Sequence, residues 1–321
     1  MSDAVPSSSP PEGEPRLRIV TGKGGVGKSA VATALAIAEA RRGKRVLLAE
    51  ANGRDQITAL LGAAPVGFEM REVLENLYVV DINPQDAIRE YAMLVVRFES
   101  IYKIVFQNRF VRHFLRMIPS LGEMVILGKL WYHEQEQVKG RRRFDVIILD
   151  APATGHAISM LRTPGAVEKA VPPGAMRENA RIIRELLTDP RRCCLHLVTL
   201  PEEMPVTEAR ELYEVAKGDL GIRVNEAFIN QAMEEVPAEA LRPLELKATP
   251  QSLFEAAAET LQLREQKRRT GEEHLTQLPP ALLENALRLP RLMIKERFDK
   301  NHIEALAEII GSSLPQQESQ P

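Results

Sequence analysis

The sequence predicts an α/β fold in which a doubly wound, mainly parallel sheet carries a helical insertion subdomain. Short β-branched runs alternate with longer helical patterns, and several of these runs are apolar on successive residues. Successive apolar residues are typical of strands buried on both faces of a parallel sheet, whose crossover connections are helices. The strands are expected at Leu17–Thr21, Arg45–Ala49, Leu77–Asp81, Phe144–Asp150, Cys194–Leu200 and Ala227–Asn230.

Composition limits the possible functions. The 321 residues are 44% hydrophobic and 27% charged, and 42 Lys and Arg against 44 Asp and Glu give a net charge of −2. This balance supports a large core and excludes a global basic field for nucleic acid or an anionic membrane. The cysteines, Cys193 and Cys194, are neighbours, which excludes a disulfide framework and a CxxC metal site. With no signal peptide and no long apolar run in the sequence, a cytoplasmic protein without an integral membrane segment is expected.

The chain divides into a main domain with two flanking segments. Residues 1–15 are expected to be a disordered leader, residues 16–312 the main domain and residues 313–321 a polar tail. Residues 84–138 and 251–278 show helical periodicity without strands, and we interpret them as helical insertions that pack together on one edge of the sheet. The segment Tyr91–Phe106 is apolar around more than one helical face. Either these faces bury each other, or part of them opens to a partner or an apolar client.

A glycine-rich loop follows the first expected strand. Its sequence, GKGGVGKS, satisfies G-x-x-x-x-G-K-[ST] and is followed by a helical pattern. The backbone N–H groups of such a loop and the positive end of the helix dipole cradle phosphate oxygens. Lys28 is then expected to neutralise the β- and γ-phosphates, and Ser29 to ligate Mg²⁺. The loop residues assigned to nucleotide are Gly22, Lys23, Gly24, Gly25, Val26, Gly27, Lys28 and Ser29.

A second motif supplies a carboxylate. Asp150 ends the apolar run FDVIILD, so it is expected at the carboxyl edge of the sheet, where it would hold Mg²⁺ through water. The residues that follow are APATGH. Gly155 would let this loop approach the γ-phosphate as a switch, whereas His156 is either a phosphate contact or a capping or packing residue.

These motifs resemble those of the ArsA-type anion-transporting ATPases, whose relatives are the ATPases that target tail-anchored proteins and the ParA/MinD class. KGGVGKS resembles their deviant Walker A loop, and DAPATGH resembles their D-[TA]-[AP]-[PA]-T-G-H segment. In that class the first lysine of the loop, here Lys23, crosses a dimer interface to the partner's nucleotide. The alternative for Lys23 is a surface lysine beside an anion. The resemblance covers residues 16 to about 310 and implies an ATPase that uses ATP and Mg²⁺ and works as a dimer.

The resemblance also assigns residues around the nucleotide. Glu202, in LPEEM, matches a glutamate near the nucleotide of the dimer. Asn230 matches an asparagine that binds adenine, and an amide can pair with both N6 and N7 of that base; an ordinary turn residue is the alternative. Pro290, in RLP, matches a later loop that lies against the base.

The sequence departs from the family pattern in three places. The chain has one phosphate loop, and its adjacent cysteines would point to opposite faces of a strand, which excludes a three-thiolate metalloid site within one chain. The zinc-bridging CxxC of the tail-anchor factors is missing. Asn52 falls, on the simplest alignment, at the catalytic position where the family has an aspartate that orients the attacking water; Glu50 and Asp55 are the acids close by.

Three functional hypotheses remain. The first is a homodimeric or heterodimeric Mg-dependent ATPase in which nucleotide state controls a helical subdomain that binds a partner or client. The second, suggested by Asn52, is a weakly hydrolysing regulatory or chaperone subunit that needs a paralogous partner chain. The third is a ParA/MinD-like positioning ATPase, which is disfavoured because the C-terminal residues are acidic and polar rather than a basic amphipathic anchor.

Overall fold

The structure is a computed structural model that describes residues 14–51, 55–67, 69–83, 121–237, 251–294 and 296–315. Within these residues, eight strands form a single sheet in the order β10-β9-β8-β1-β7-β2-β4-β3, and β5 and β6 form a separate hairpin. Strand β3 runs antiparallel to β4, and the other neighbouring pairs of the large sheet are parallel. The strands are β1 (Leu17–Gly22), β2 (Val46–Glu50), β3 (Arg71–Leu74), β4 (Leu77–Asp81), β5 (Gln137–Val138), β6 (Arg141–Arg142), β7 (Val146–Ala153), β8 (Cys193–Thr199), β9 (Val224–Ala232) and β10 (Leu287–Pro290).

Helices cover both faces of the sheet. They are α1 (Lys28–Arg41), α2 (Gln56–Leu60), α3 (Leu121–Gln135), α4 (Thr154–Ala170), α5 (Ala175–Thr188), α6 (Glu203–Glu214), α7 (Gln251–Leu275), α8 (Pro280–Glu284) and α9 (Lys300–Ser313). One buried cluster joins the sheet to α1, α2 and α9, and the other joins it to α3, α4, α5 and α6. Because side chains alternate along each strand, the same strands supply both clusters. The predicted doubly wound, mainly parallel α/β fold is confirmed.

Several boundaries differ from the predicted ones. Strand β7 runs to Ala153, where it pairs with Gly22, and α4 begins at the next residue. The predicted switch loop over residues 151–156 is therefore the end of a strand and the first turn of a helix. Strand β3 was missed because its sequence, REVL, has charged, exposed residues at an edge. Pro290 ends a strand that pairs with β9, whereas the sequence predicted a loop.

The two helical stretches are only partly described. Residues 84–120, which include Tyr91–Phe106, lie outside the described residues. Helix α3 packs on α4 and α5, whereas α7 packs on α6, so the described parts of the two stretches contact different helices. The first stretch also ends in the β5–β6 hairpin rather than in helix. Its turn residues, Lys139 and Gly140, have φ values of 53° and 75°, as a two-residue hairpin turn requires.

Buried charges hold the amino end of the strands together. Glu39 is fully buried on α1, and its carboxylate accepts hydrogen bonds from Arg18 at 2.7 Å and Lys44 at 2.8 Å. Glu14 contacts the same two cations at 2.9 Å. Glu14, which the sequence analysis assigns to the leader, takes part in this network. The remainder of that leader, residues 1–13, lies outside the described residues, as do residues 316–321 of the polar tail.

We expect Glu39→Gln to lower the free energy of unfolding by about 3–5 kcal/mol, because two buried cations lose their shared counter-charge. Urea unfolding followed by circular dichroism measures this loss. The matched control is Glu178→Gln, which removes an exposed ion pair with Arg181 and should leave the urea midpoint close to that of the wild type. Equal midpoints for all three proteins would contradict a stabilising role for the network.

Candidate nucleotide-binding site

The phosphate loop is held by close contacts that only glycine permits. A Cβ on Gly22 would overlap the Val198 carbonyl oxygen on the neighbouring strand β8. Gly25 and Gly27 have φ values of 87° and 89°, in the left-handed region that favours glycine. Helix α1 then begins at Lys28, without a side-chain cap from any described residue. The N–H groups of its first turn are therefore available to an anion.

Lys28 lies over this loop. Its Nζ donates a hydrogen bond to the Lys23 carbonyl oxygen at 3.1 Å. Burial lowers the pKa of Lys28, and the carboxylates of Asp150 and Glu208 act in the opposite direction. A partly buried cation beside free backbone N–H groups is suited to binding phosphate.

Ser29 and Asp150 bring two possible oxygen ligands together where α1 begins beside β7. The Ser29 hydroxyl donates to Asp150 Oδ2 at 2.6 Å, and Asp150 is 2% exposed. Its second oxygen, Oδ1, is buried without a hydrogen-bond partner among the described residues. Burial raises the pKa of Asp150 to about 6, despite Ser29 and Lys28. A hydroxyl and a buried carboxylate oxygen fit Mg²⁺, which prefers oxygen ligands, so these residues can hold the predicted metal ion.

A pocket of about 510 Å³ opens beside the loop. Gly27, Asn230 and Pro290 all line it, so the structure brings together three residues that are far apart in the sequence. Its volume suits a small ligand such as a nucleobase with its sugar. Sequence reasoning missed its apolar wall, although the apolar residues that follow RLP were a signal. That wall includes Ala30, Leu292, Met293, Ile294, Phe298 and Leu306.

Asn230 joins the phosphate loop to this pocket. Its Nδ2 donates to the Val26 carbonyl oxygen at 2.8 Å, and its Oδ1 accepts from the Gln231 N–H at 2.9 Å. A Cβ on Gly27 would overlap the Asn230 amide. Each end of the amide keeps one hydrogen-bonding position, a donor on Nδ2 and an acceptor on Oδ1. These are the two groups that adenine N7 and N6 require.

Glu202 lies beside this pocket rather than in it. It precedes α6, is exposed, and lines a separate pocket of about 120 Å³ that shares Gln231 and Arg291 with the larger one. Lys23 also differs from a free, outward-pointing side chain. Its ammonium forms an ion pair with Glu208 of α6 in the same chain, and the two side chains are 30% and 28% exposed.

The acids near position 52 have different environments. Asn52 itself lies outside the described residues. Glu50 ends β2, is 2% exposed, and accepts from the Gln56 and Ile57 N–H groups at 3.2 and 3.3 Å. Burial, together with Asp81 and Asp150, raises the pKa of Glu50 to about 7. Asp55 Oδ1 accepts from the Val66 and Gly67 N–H groups, at 3.2 and 3.4 Å.

The TGH segment begins α4. Gly155 and His156 are exposed in its first turn, whereas the Thr154 hydroxyl is buried without a hydrogen-bond partner among the described residues. Sequence reasoning did not single out Thr154.

Cys193 and Cys194 are both buried, which raises the pKa of each thiol. In the described ranges, no group of three or more His, Cys, Asp or Glu side chains could hold a metal ion.

None of the helices in the described part of the chain is long and apolar enough to cross a membrane.

Comparisons with known proteins agree with the site geometry. Residues 16–173 match the model of the anion-transporting ATPase family. ATPase BagA of Mycobacterium tuberculosis is 30% identical over 216 residues, which cover 64% of this chain and 63% of that protein. The arsenical pump-driving ATPase of Acidiphilium multivorum is 29% identical over 245 residues, 70% of this chain and 41% of the relative. Its Escherichia coli counterpart is 28% identical over 245 residues, 70% of this chain and 40% of the relative.

The chain thus spans less than two thirds of the length of each of these relatives. The family match covers the phosphate loop, strands β1 to β4 and the segment from Asp150 through α4. Together with the parallel sheet and the glycine contacts around the loop, these matches support an ArsA-type anion-transporting ATPase-like protein.

Proposed function

We propose that this chain is a Mg²⁺-dependent ATPase in which bound ATP drives dimerisation and alters the helical segments. The observation that carries the proposal is the position of Gly27. This residue both ends the phosphate loop and lines the pocket of about 510 Å³, which we call the base pocket. One nucleotide can therefore reach Asn230 with its base while its phosphates meet the start of α1 and the oxygens of Ser29 and Asp150.

Each part of the site has a distinct task in hydrolysis. A bond forms between a water oxygen and the γ-phosphorus, and the bond from that phosphorus to the β–γ bridging oxygen breaks, with its electron pair leaving on ADP. Lys28 and the N–H groups of α1 stabilise the charge on the phosphates. Ser29 and Asp150 would hold Mg²⁺, which supplies further charge neutralisation when bound.

The ion pair of Lys23 supports a nucleotide-dependent change of partner. Within the single chain the ammonium is neutralised by Glu208. Exposed ion pairs of this kind contribute at most about 1 kcal/mol, so a phosphate group that bears more charge can displace the carboxylate. We infer that Lys23 leaves Glu208 when a second chain presents its nucleotide.

Helix α7 is the described element best placed to respond to nucleotide. Its Gly271 lies so close to Pro201, next to Glu202, that a Cβ would be 2.9 Å from the Pro201 carbonyl oxygen. One residue later, Glu272 forms a double ion pair with Arg288 of β10, the strand that ends at Pro290. The helix therefore contacts both segments beside the base pocket, which supports coupling between nucleotide and the stretch 251–278.

A weakly hydrolysing subunit that needs a paralogous partner chain is the second candidate. Two observations favour it: Asn52 replaces the aspartate of the family pattern, and Lys23 is engaged within its own chain. Turnover of the purified chain, with and without a paralogous chain, distinguishes the two functions. Turnover that depends on the second chain would replace the first candidate by the second.

We expect Lys28→Ala to weaken Mg·ATP binding by about 10- to 100-fold, because the phosphates lose a charge-assisted hydrogen bond. Lys23→Ala should leave binding by the single chain within a factor of about three but lower hydrolysis by about 10³-fold or more, as expected for a cation supplied in trans. Calorimetry and phosphate release measure the two effects, and thermal unfolding checks that both variants fold. Hydrolysis at the wild-type rate in Lys23→Ala would refute the trans role.

The Lys23–Glu208 pair should set the ATP concentration at which the dimer forms. Glu208→Gln is expected to lower the half-maximal concentration by about two- to fivefold, since Lys23 no longer has to leave an ion pair. Light scattering during size-exclusion chromatography measures dimerisation across an ATP titration. Glu211→Gln removes an exposed acid from the same helix and serves as the control. The pair has no such role if the two variants dimerise at the same ATP concentration.

Asn230 should determine the preference for adenine. We expect Asn230→Ala to reduce the ratio of ATP to GTP affinity by about tenfold, because an amide paired with N6 and N7 of adenine is lost. Its second effect, loss of the hydrogen bond to Val26, weakens both nucleotides alike and cancels in the ratio. Calorimetry with each nucleotide gives the ratio, and Asn225→Ala at the other end of β9 is the control. An unchanged ratio would make Asn230 a structural residue of the loop only.

A further inference from the structure

We propose that Glu50 is the acid that orients the attacking water for ATP hydrolysis. The inference rests on the proposed ATPase activity and assigns to this chain a role that the family pattern gives to position 52. The sequence left two acids as candidates, Glu50 and Asp55, and their contacts separate them.

Register places Glu50 beside Asp150. The two residues are paired neighbours on the parallel strands β2 and β7, at the carboxyl edge of the sheet. Side chains two and four residues earlier, such as Leu48 and Val46, pack with α1. Because side chains alternate, Glu50 points to this same face, as does Asp150 on β7. Both carboxylates therefore lie on the side of the sheet from which α1 presents Ser29.

A short series of contacts connects Glu50 to Ser29. Asp150 accepts from the Ser29 hydroxyl at 2.6 Å, the Ser29 Oγ lies 3.5 Å from Gln56 Oε1, and the Gln56 N–H donates to Glu50 Oε1 at 3.2 Å. Glu50 is thus two contacts from a residue that can hold Mg²⁺. Each of its oxygens accepts one backbone N–H and retains a lone pair, so the carboxylate can also accept a hydrogen bond from water.

Asp55 has a different position. It precedes α2 with a φ of 49°, and its Oδ1 binds the N–H groups of residues 66 and 67, which secures the loop after α2. Asp81 is paired with Glu50 on β4, one strand farther from Asp150. Among these acids of the described residues, Glu50 alone is the strand neighbour of Asp150.

The role requires orientation more than proton removal. As the water oxygen bonds to the γ-phosphorus and ADP leaves with the bridging oxygen, one water proton ends on the released phosphate. The transition state is loose, so a carboxylate that accepts a hydrogen bond from the water supplies direction and negative charge while this transfer proceeds. A buried glutamate held by two backbone N–H groups can do this without side-chain rearrangement.

Glu50→Gln tests the proposal, because glutamine keeps the size of the side chain and its Oε1 still accepts one of the two backbone N–H groups of α2. We expect single-turnover hydrolysis to fall by about 10²- to 10⁴-fold, with Mg·ATP affinity within about twofold of wild type. Asp55→Asn is the matched control: its Oδ1 still accepts the N–H groups of residues 66 and 67, so the rate should be kept.

A binding measurement separates orientation of water from other effects. In the complex of Mg·ADP with aluminium fluoride, a water-like ligand occupies the position of the attacking water. Glu50→Gln should therefore bind this complex more weakly than the wild type does, while its affinity for Mg·ADP stays the same. If Glu50→Gln hydrolyses ATP and binds this complex like the wild type, or if Asp55→Asn loses the rate instead, Glu50 is not the water-orienting acid. A wild-type protein that neither hydrolyses ATP nor binds the complex would instead refute the proposed function, and the inference would fail with it.

Discussion

The whole site depends on how closely the phosphate loop approaches the strands beside it. The backbone of Gly22 lies so close to the Val198 carbonyl on β8 that there is no room for a Cβ atom. The same holds for Gly27 beside the Asn230 amide on β9. The hydrogen bond from Asn230 to Val26 closes this contact at 2.8 Å. Because the loop is fixed on β8 and β9, one nucleotide can place its base and phosphates at the same time. A side chain at either glycine would displace the loop before it affected any chemistry.

Buried carboxylates at the carboxyl edge carry a desolvation cost. Asp150 and Glu50 are each 2% exposed, and Asp150 Oδ1 has no partner among the described residues. Burial accordingly raises both pKa values. A cation bound there would relieve this cost only in the folded chain, so its binding energy would also stabilise the fold. At the other end of the strands, Glu39 is buried together with its cations, and that network is complete without a ligand. The buried ion network therefore lies at one end of the strands, and the candidate nucleotide site lies at the other.

The sequence predicted the fold and the loop because both have local signatures. Apolar runs such as FDVIILD reveal buried parallel strands, and GKGGVGKS fixes a strand–loop–helix unit. Contacts between distant segments have no such signature. The Lys23–Glu208 pair joins residues 185 positions apart, and the burial of Glu50 depends on the register of β2 with β7. The apolar wall of the base pocket follows from the fold of the C-terminal segment. Burial and register arise only once the sheet has formed.

The ion pair of Lys23 is compatible with the role proposed for this lysine in a dimer. A side chain cannot bind Glu208 and a partner's phosphate at the same time, so the proposed dimer requires that Lys23 leave Glu208. The pair is partly exposed, and water screens its attraction, so its loss costs little free energy. A triphosphate carries several negative charges, which gives it the stronger attraction for the ammonium. In the proposed mechanism the nucleotide therefore determines the partner of Lys23, whereas Glu208 neutralises the lysine within the single chain.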